Sequence, residues 1–182
     1  TTIDVGPNKL VANSAGNVGI GTASPAKPLD VTGDIRTSTG ILFGTDTAAA
    51  NKLDDYEEGT FTATLTATTP PTAPPTAPAT YVKIGNIVHF VIHRFDNANT
   101  SGASGGMIVT GLPFSCTFTS NTHAPFTLGM NFNTAANQTF NINNASTELI
   151  GYESVSGASW NQWTITAGTG KYMVITGTYV TT

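Results

Sequence analysis

Residues 60–68 read TFTATLTAT, a run in which every second residue is threonine. The positions between the threonines are occupied by Phe61, Ala63, Leu65 and Ala67. Because successive side chains of a β-strand point to opposite faces, this alternation predicts a strand with one apolar face and one polar face. Such a strand covers a core on one side and meets water on the other. The stretch therefore predicts an all-β fold.

The next segment, TTPPTAPPTAPAT at residues 68–80, is rich in proline. Proline has no backbone N–H and cannot donate to a sheet. We expect residues 69–79 to form an extended, polyproline-like surface loop between strands, with a domain linker as the alternative. The following YVKIGNIVHFVIHRF, at residues 81–95, predicts strand structure with a bend or hairpin at Gly85 and Asn86.

Further apolar segments follow at intervals of about ten residues, separated by clusters of Gly, Asn, Ser and Pro. This spacing is typical of antiparallel sandwiches and jelly rolls. We therefore predict a jelly-roll-like antiparallel β-sandwich over residues 59–182. The expected strands lie in GGMIVTGL, FSCTFTS, PFTLGMNF, TFNIN, TELIGYE, WTITA and KYMVITGTYV.

The composition argues against two kinds of binding partner, nucleic acids and membranes. Only 10% of the 182 residues are charged, and the formal net charge is −4. The seven cationic residues are scattered, which argues against nucleic acid as a partner. The longest apolar run, IVHFVI, is interrupted by His89 and is far shorter than the ~20 residues of a membrane-spanning helix, so we expect no membrane insertion. Cys116 is the one cysteine of the sequence, which leaves no internal disulfide to form.

Residues 1–58 differ from the rest of the chain, because they hold eight of its eleven acidic residues against four of its seven basic ones. Their apolar residues come in short groups such as NVGI and PLDVTGDI, cut by turn sequences such as GTASP. Each group is too short to stabilise a hairpin alone. We expect three copies of the chain to intertwine about one axis and bury a shared apolar stripe, the alternative being a disordered arm. The predicted core residues of this trimeric β shaft are Val18, Ile20, Leu29, Val31 and Ile35.

Between the two parts, GTDTAAANKLDDYEEG at residues 44–59 has features of a short helix. Asp46 or Thr47 would cap its start, and the three alanines favour helix. Glu57 and Glu58 oppose it, because they would lie at the negative end of the helix dipole. The segment therefore predicts a short helix, ending by Gly59, that its own charges weaken.

Two groups of residues point to a known family. VGIGTASPAKPLDVTGDIRTSTG, at residues 18–40, resembles a shaft segment of bacteriophage tail fibres and related virion fibres. LDDYEEGTFTATL (53–65), YVKIGNIVHFVI (81–92) and GLPF (111–114) resemble the start of the globular head that follows this shaft. The resemblance implies a homotrimer located in the virion, with a slender shaft, other virion proteins at its N-terminal end and a β-rich head that contacts the host surface. Many such fibres end in a self-cleaving chaperone domain, which nothing in this sequence matches.

A candidate receptor-binding group lies in SWNQWTIT, at residues 159–166. Glycan sites combine aromatic rings, which pack against the apolar face of a sugar, with amides that bond to its hydroxyl groups. Trp160, Asn161, Gln162 and Trp163 supply both, and Tyr152 could add a further contact. The alternative is that one tryptophan belongs to the core and the other to a subunit contact, because their odd spacing would place them on opposite faces of a strand.

Catalysis and metal binding have weaker signals. A glycosidase needs two converging carboxylates, and residues 59–182 offer Asp96, Glu148 and Glu153 alone. The alternation around Cys116 fits packing better than a nucleophile. The residues therefore predict no enzyme activity and no cofactor.

Histidine is a common metal ligand, but His89 and His93 are too far apart on one strand to share an ion. One histidine from each of three chains around a threefold axis could still bind a metal. The simpler interpretation places both histidines on the exposed face, opposite a core face of Val88, Phe90 and Ile92.

These features together predict a structural virion fibre whose trimeric head binds a host-surface receptor, a glycan in the first place and a protein otherwise. Three identical weak sites would hold the receptor through avidity. The alternatives are a protein that decorates the capsid or joins tail components without contacting the host and, with little support, a polysaccharide depolymerase.

Overall fold

The computed structural model describes residues 10–45, 47–117, 127–130, 137–154 and 159–182. The chain divides after Lys52 into two compact units, residues 1–52 and 53–182, here called unit 1 and unit 2. The sequence pattern predicts a boundary after residue 58, whereas the structure divides the chain earlier, because a long strand already begins at Tyr56.

Unit 1 contains a three-stranded sheet of very short strands: β1 (Leu10–Ala12), β2 (Val18–Ile20) and β3 (Leu29–Val31). β1 and β2 form an antiparallel pair, and β2 and β3 form a parallel pair. In the turn between β1 and β2, the side-chain oxygen of Asn13 accepts hydrogen bonds from the N–H groups of Ala15 and Asn17, both at 3.0 Å. This side chain fixes the turn, because asparagine readily bonds to backbone two residues further along.

The connection from β2 to β3 folds back over one face of this sheet. A Cβ atom added to Gly19 would lie 2.6 Å from the carbonyl oxygen of Thr22 and 3.4 Å from Cβ of Pro25. Pro25 is buried, and its carbonyl accepts a hydrogen bond from the Asn17 side-chain amide at 3.2 Å. The connection therefore packs directly on the backbone of β2, and Gly19 is needed for that close approach.

The prediction of a short helix in residues 44–59 is wrong for most of that segment. A single 3-10 turn spans Ala49–Asn51, and its N-cap residue, Ala48, makes no capping hydrogen bond through its side chain. Asp46, one of the two proposed caps, lies outside the described residues. From Tyr56 onward the chain is a β-strand, because it pairs with a later strand. Among the described residues, no helix is long and apolar enough to cross a membrane.

In the part of unit 2 that the structure describes, nine strands form one curled antiparallel sheet. Its strands are β4 (Tyr56–Thr69), β5 (Thr76–Ile84), β6 (Ile87–Ala98), β7 (Ser104–Thr110), β8 (Thr127–Met130), β9 (Asn137–Ile142), β10 (Leu149–Ser154), β11 (Asn161–Gln162) and β12 (Lys171–Val180). Their order is β11-β10-β7-β4-β5-β6-β12-β8, with β9 paired to β10. Cα atoms of β8 and β9 approach within 8 Å, so the sheet curls back on itself. The predicted all-β antiparallel class is confirmed, whereas the jelly-roll arrangement stays a prediction.

The inner face of the curled sheet forms one core. On β4 the alternation holds as predicted, since Ala63, Leu65 and Ala67 are buried and Phe61 packs against them. On β6 the side chains of Val88, Phe90 and Ile92 are buried, whereas those of His89 and His93 are exposed, as the simpler interpretation predicted. The largest fully buried side chains are Trp163, Tyr179, Phe90, Phe95, Phe140, Leu65, Ile92, Met107, Ile142, Leu149 and Met173.

The proline-rich loop is shorter than predicted. The composition predicts a loop over residues 69–79, but β4 ends at Thr69 and β5 begins at Thr76. Pro78 lies within β5 and pairs with Thr62 of β4, at a position beyond the pairs that β5 makes with β6. A sheet tolerates proline at such a place, because its missing N–H is not required by a second neighbour.

Two other predicted strands differ from the structure. Residues 114–117 of FSCTFTS form no strand, and WTITA makes only an isolated bridge between Thr164 and Gly106. Residues 118–126, 131–136 and 155–158, which include parts of the other predicted segments, lie outside the described residues. The Gly85 and Asn86 hairpin is confirmed, with Ile84 paired to Ile87 and a φ of +56° at Gly85.

Replacement of Gly19 by alanine should disorder the sheet of unit 1, because the new methyl group collides with the Thr22 carbonyl. We expect loss of hydrogen-exchange protection at the amides of Val18 and Thr32, which bond to Pro28 and Ile20 across β2 and β3. Ser24→Ala, at an exposed position of the same connection, is the control and should keep that protection. Unchanged protection in Gly19→Ala would contradict the close packing described above.

Candidate functional site

One face of the sheet in unit 1 is formed by apolar side chains alone. The strand registers align Leu10 with Ile20, Ala12 with Val18, Val18 with Leu29, and Ile20 with Val31. Paired residues point to the same side of a sheet. The unit 1 face therefore consists of Leu10, Ala12, Val18, Ile20, Leu29 and Val31.

Within a single chain this face is largely uncovered. Ile20 is 44% exposed and Leu29 is 57% exposed, and Val18 and Val31 are half-buried. Four of the five predicted shaft-core residues lie on the face. The fifth, Ile35, is 62% exposed and follows the sheet rather than belonging to it. Four of the residues that the sequence analysis named thus share one exposed face of a single chain. Their contact with other copies of the chain stays a prediction.

Unit 2 carries a second exposed group, here called the Trp160 patch, which consists of Tyr152, Trp160, Asn161 and Gln162. Trp160 is 49% exposed, and Asn161 and Gln162 are exposed on β11. Tyr152 lies directly opposite Gln162 in the pairing of β10 with β11. A Cβ atom at Gly106 would lie 2.0 Å from Cδ of Gln162, so the glutamine side chain rests on bare backbone there. Because adjacent residues of a strand point to opposite faces, Gln162 shares the face of Tyr152 whereas Asn161 shares the face of Glu153, and the two amides are presented to solvent on opposite faces.

Trp163 does not belong to this surface, which corrects the prediction that it contacts a receptor. Its side chain is fully buried, with its ring centroid 5.9 Å from that of Phe140. A Cβ atom at Gly151 would lie 3.1 Å from Cε3 of Trp163, so this glycine makes room for the indole. Trp163 is a core residue, as the alternative interpretation of the two tryptophans proposed for one of them.

Sequence reasoning missed a groove on the outer face of β4, β5 and β6, here called the His89 groove. Its volume is about 590 Å³, and its outward-pointing side chains are Glu58, Thr60, Thr80, Val82, His89 and Val91. The registers arrange them in two rows across the strands. One row runs Glu58, Val82, His89 and Thr178, and the next runs Thr60, Thr80, Val91 and Thr176.

The groove combines an apolar floor with polar groups at its sides. The Tyr56 hydroxyl donates to Oε2 of Glu58 at 3.0 Å, and this hydrogen bond, together with the negative charge of Glu58, raises the pKa of Tyr56. On the opposite side, Nδ1 of His89 lies 3.1 Å from the hydroxyl of Thr178. The groove could not be predicted from the sequence, because Val82 lies in an apolar run and looks like a core residue there.

The residues that the sequence analysis weighed for catalysis and metal binding lie as follows in the structure. Cys116 is buried, and burial raises the pKa of its thiol to about 11. Glu148 precedes β10, and Glu153 lies within it. In the part of the chain that the structure describes, no three or more His, Cys, Asp or Glu side chains cluster closely enough to hold a metal ion.

Comparison with known proteins adds no identification. No protein-family model matches the chain, and no curated protein matches it significantly.

Replacement of each tryptophan by alanine should distinguish the core residue Trp163 from the exposed residue Trp160. Trp163→Ala empties a core site and should lower the free energy of unfolding by about 3–5 kcal/mol. Trp160→Ala removes an exposed ring and should change it by less than about 0.5 kcal/mol. Urea unfolding measures both values, and equal losses for the two variants would contradict the assignment.

Proposed function

We propose that the protein is a trimeric virion fibre, in which unit 1 is a shaft segment and unit 2 is a jelly-roll-like head that binds a glycan on the host surface. The observation that carries this proposal is the unit 1 face. A sheet of three short strands exposes only apolar side chains on that face, while its connection from β2 to β3 packs on the other. Exposed apolar patches of this kind mark contact surfaces.

A threefold arrangement suits the size and shape of this face. Each strand has three residues, so one copy offers a narrow stripe and cannot curl to cover it. Three copies around one axis would close a thin core in which every stripe meets the other two. The backbone hydrogen bonds of the sheet lie within one chain, which leaves the side chains to make the contact between copies.

The Trp160 patch supports the binding role of the head. Its exposed indole offers the flat apolar surface on which a sugar ring packs, and Gln162, on the face of Tyr152, offers a donor and an acceptor for the hydroxyl groups. Three copies on one fibre would multiply a weak contact through avidity. The proposal accordingly includes a location in the virion, with other virion proteins at the N-terminal end of the shaft.

A second candidate is a structural protein that joins virion components and binds no receptor. The outer face of unit 2 favours it, since Tyr56, Ile84 and Ile87 are all more than half exposed. These three residues form one row across β4, β5 and β6. An apolar row of this kind would suit a neighbouring virion protein.

The oligomeric mass tests the shaft. We expect light scattering to give three times the chain mass at both low and high salt, because an apolar contact does not depend on screening. Leu29→Asp introduces a charge into the shared core and should reduce the mass to that of one chain. Ser38→Asp adds the same charge at an exposed position outside the face and should remain trimeric. A monomeric wild-type chain would refute the shared shaft.

Binding to an array of bacterial surface glycans tests the head. If the contact of a sugar with the indole is worth as much as a contact between two aromatic rings, about 0.5–1.5 kcal/mol, Trp160→Ala should weaken binding per site by about two- to tenfold. His89→Ala, in the separate groove, should bind like the wild type. Loss of binding in His89→Ala alone would move the receptor site to the groove. A trimer that binds no glycan would favour the structural candidate.

A further inference from the structure

The outer face of unit 2 changes its chemistry along β4, β5 and β6. In the middle of β4 the outward positions are all threonine, a residue that suits a face in contact with water. At the start of β4 the face becomes apolar, because Tyr56, Ile84 and Ile87 form one row across the three strands. These three side chains are 56%, 53% and 51% exposed. Val82 continues the apolar surface into the next row. Exposed apolar surface of this kind marks a contact with another chain.

The second row places an acidic and a basic group on the two sides of this apolar surface. It runs from Glu58 on β4 through Val82 on β5 to His89 on β6. The Tyr56 hydroxyl donates to Oε2 of Glu58, and a carboxylate has a second oxygen that can accept. Nδ1 of His89 lies against the hydroxyl of Thr178, which leaves Nε2 as the ring nitrogen for another partner. Two strand spacings, about 10 Å, separate the carboxylate from the imidazole within one chain, so each suits the complementary group of another copy.

We infer that three copies of unit 2 meet through this face, with Glu58 of each copy in contact with His89 of the next. The inference rests on the threefold assembly proposed above. The strands run along the threefold axis and β5 lies nearest to it, so the β4 side of each copy meets the β6 side of its neighbour. A rotation about an axis leaves each residue at its own height, and each row therefore meets the same row of the next copy.

The rows complement one another in this arrangement. In the first row, Tyr56 packs on Ile87 of the next copy, and the three Ile84 side chains lie closest to the axis. In the second row, the Glu58 carboxylate accepts a hydrogen bond from the imidazole of the neighbouring His89, which is charge-assisted when the ring is protonated. A contact of β4 with β4 would instead bring two Glu58 carboxylates together, which like-charge repulsion disfavours.

This contact is too small to assemble the chains by itself. Three strands and three rows cover about 10 Å by 14 Å, whereas each partner in a stable interface buries about 800 Å². Copies already joined through unit 1 meet at a high effective concentration, and a small contact then suffices to fix the arrangement of unit 2. The face thus orients the three copies of unit 2, and unit 1 holds the trimer together.

Disulfide cross-linking of the full chain tests the contact. In the double variant Glu58→Cys/His89→Cys, the two cysteines of one chain lie about 10 Å apart, beyond the ~7 Å between Cα atoms that a disulfide allows. A disulfide between these positions must therefore join two copies. We expect a mild oxidant to link all three chains, which a non-reducing denaturing gel shows as a species of three times the chain mass. Cys116 is buried, which keeps it out of the reaction.

Two controls test the register of the contact. Each single variant, Glu58→Cys or His89→Cys, places its cysteines on one side of the face alone and should not cross-link. Thr60→Cys/His89→Cys puts the two cysteines in different rows, about 7 Å apart in height, and should react at least tenfold more slowly than the matched pair. Cross-linking of a single variant, or equal rates for the two pairs, would overturn the proposed register.

Light scattering of the same samples separates this inference from the proposed shaft. A trimeric mass without cross-linked trimers would keep the shaft and overturn the contact, leaving the face to a neighbouring virion protein. Cross-linked dimers as the final product would indicate a twofold contact and overturn the inference as well. A monomeric mass would refute the shaft and the contact together.

A charge near the axis gives a second test. Ile84→Asp, added to the Glu58→Cys/His89→Cys variant, gathers three carboxylates at the axis and should slow the cross-linking at least tenfold. Ser38→Asp adds the same charge at an exposed position outside the face and should leave the rate unchanged. An unchanged rate in the Ile84→Asp variant would show that β5 lies away from the axis and would overturn the arrangement.

Discussion

Every β-strand turns one set of side chains to each face, and an apolar set must be covered by something. Unit 2 meets this constraint within its own chain, because its nine strands curl until the inner side chains cover one another. The described residues of unit 1 form three strands of three residues each, which are too short to curl over one another in this way. The connection over Gly19 covers one of its faces and leaves the other apolar. The same constraint thus produces a closed core in one unit and an open face in the other.

The sequence predicted best where the two faces of a strand differ in chemistry. On β4, threonine alternates with Phe61, Ala63 and Leu65, so the alternation alone identifies the inner face. The same reasoning placed His89 and His93 outside, because they alternate with large apolar residues. The apolar face of unit 1 followed in the same way, with Ile35 as the exception because the sheet ends before it. Alternation was informative in all three cases.

The sequence predicted poorly where both faces of a strand contain apolar residues. In YVKIGNIV, Val82 and Ile84 look like core residues, yet they point outward while Lys83 points inward. A shift of one residue exchanges the faces, and pairing with β4 decides which face lies inside. The sequence analysis missed the His89 groove and the burial of Lys83 for this reason. The odd spacing of Trp160 and Trp163 predicted that the two rings lie on different faces. Which ring enters the core depends on Gly151, which leaves room for the indole of Trp163.

The edges of the sheet also bear on how the protein meets other chains. Exposed edges invite strand addition, and many proteins protect them with charged side chains. This chain has only 10% charged residues. Exposed apolar residues such as Leu29 and Ile87 lie on sheet faces. Contacts with other chains are therefore expected through side chains on these faces, whatever the edges contribute.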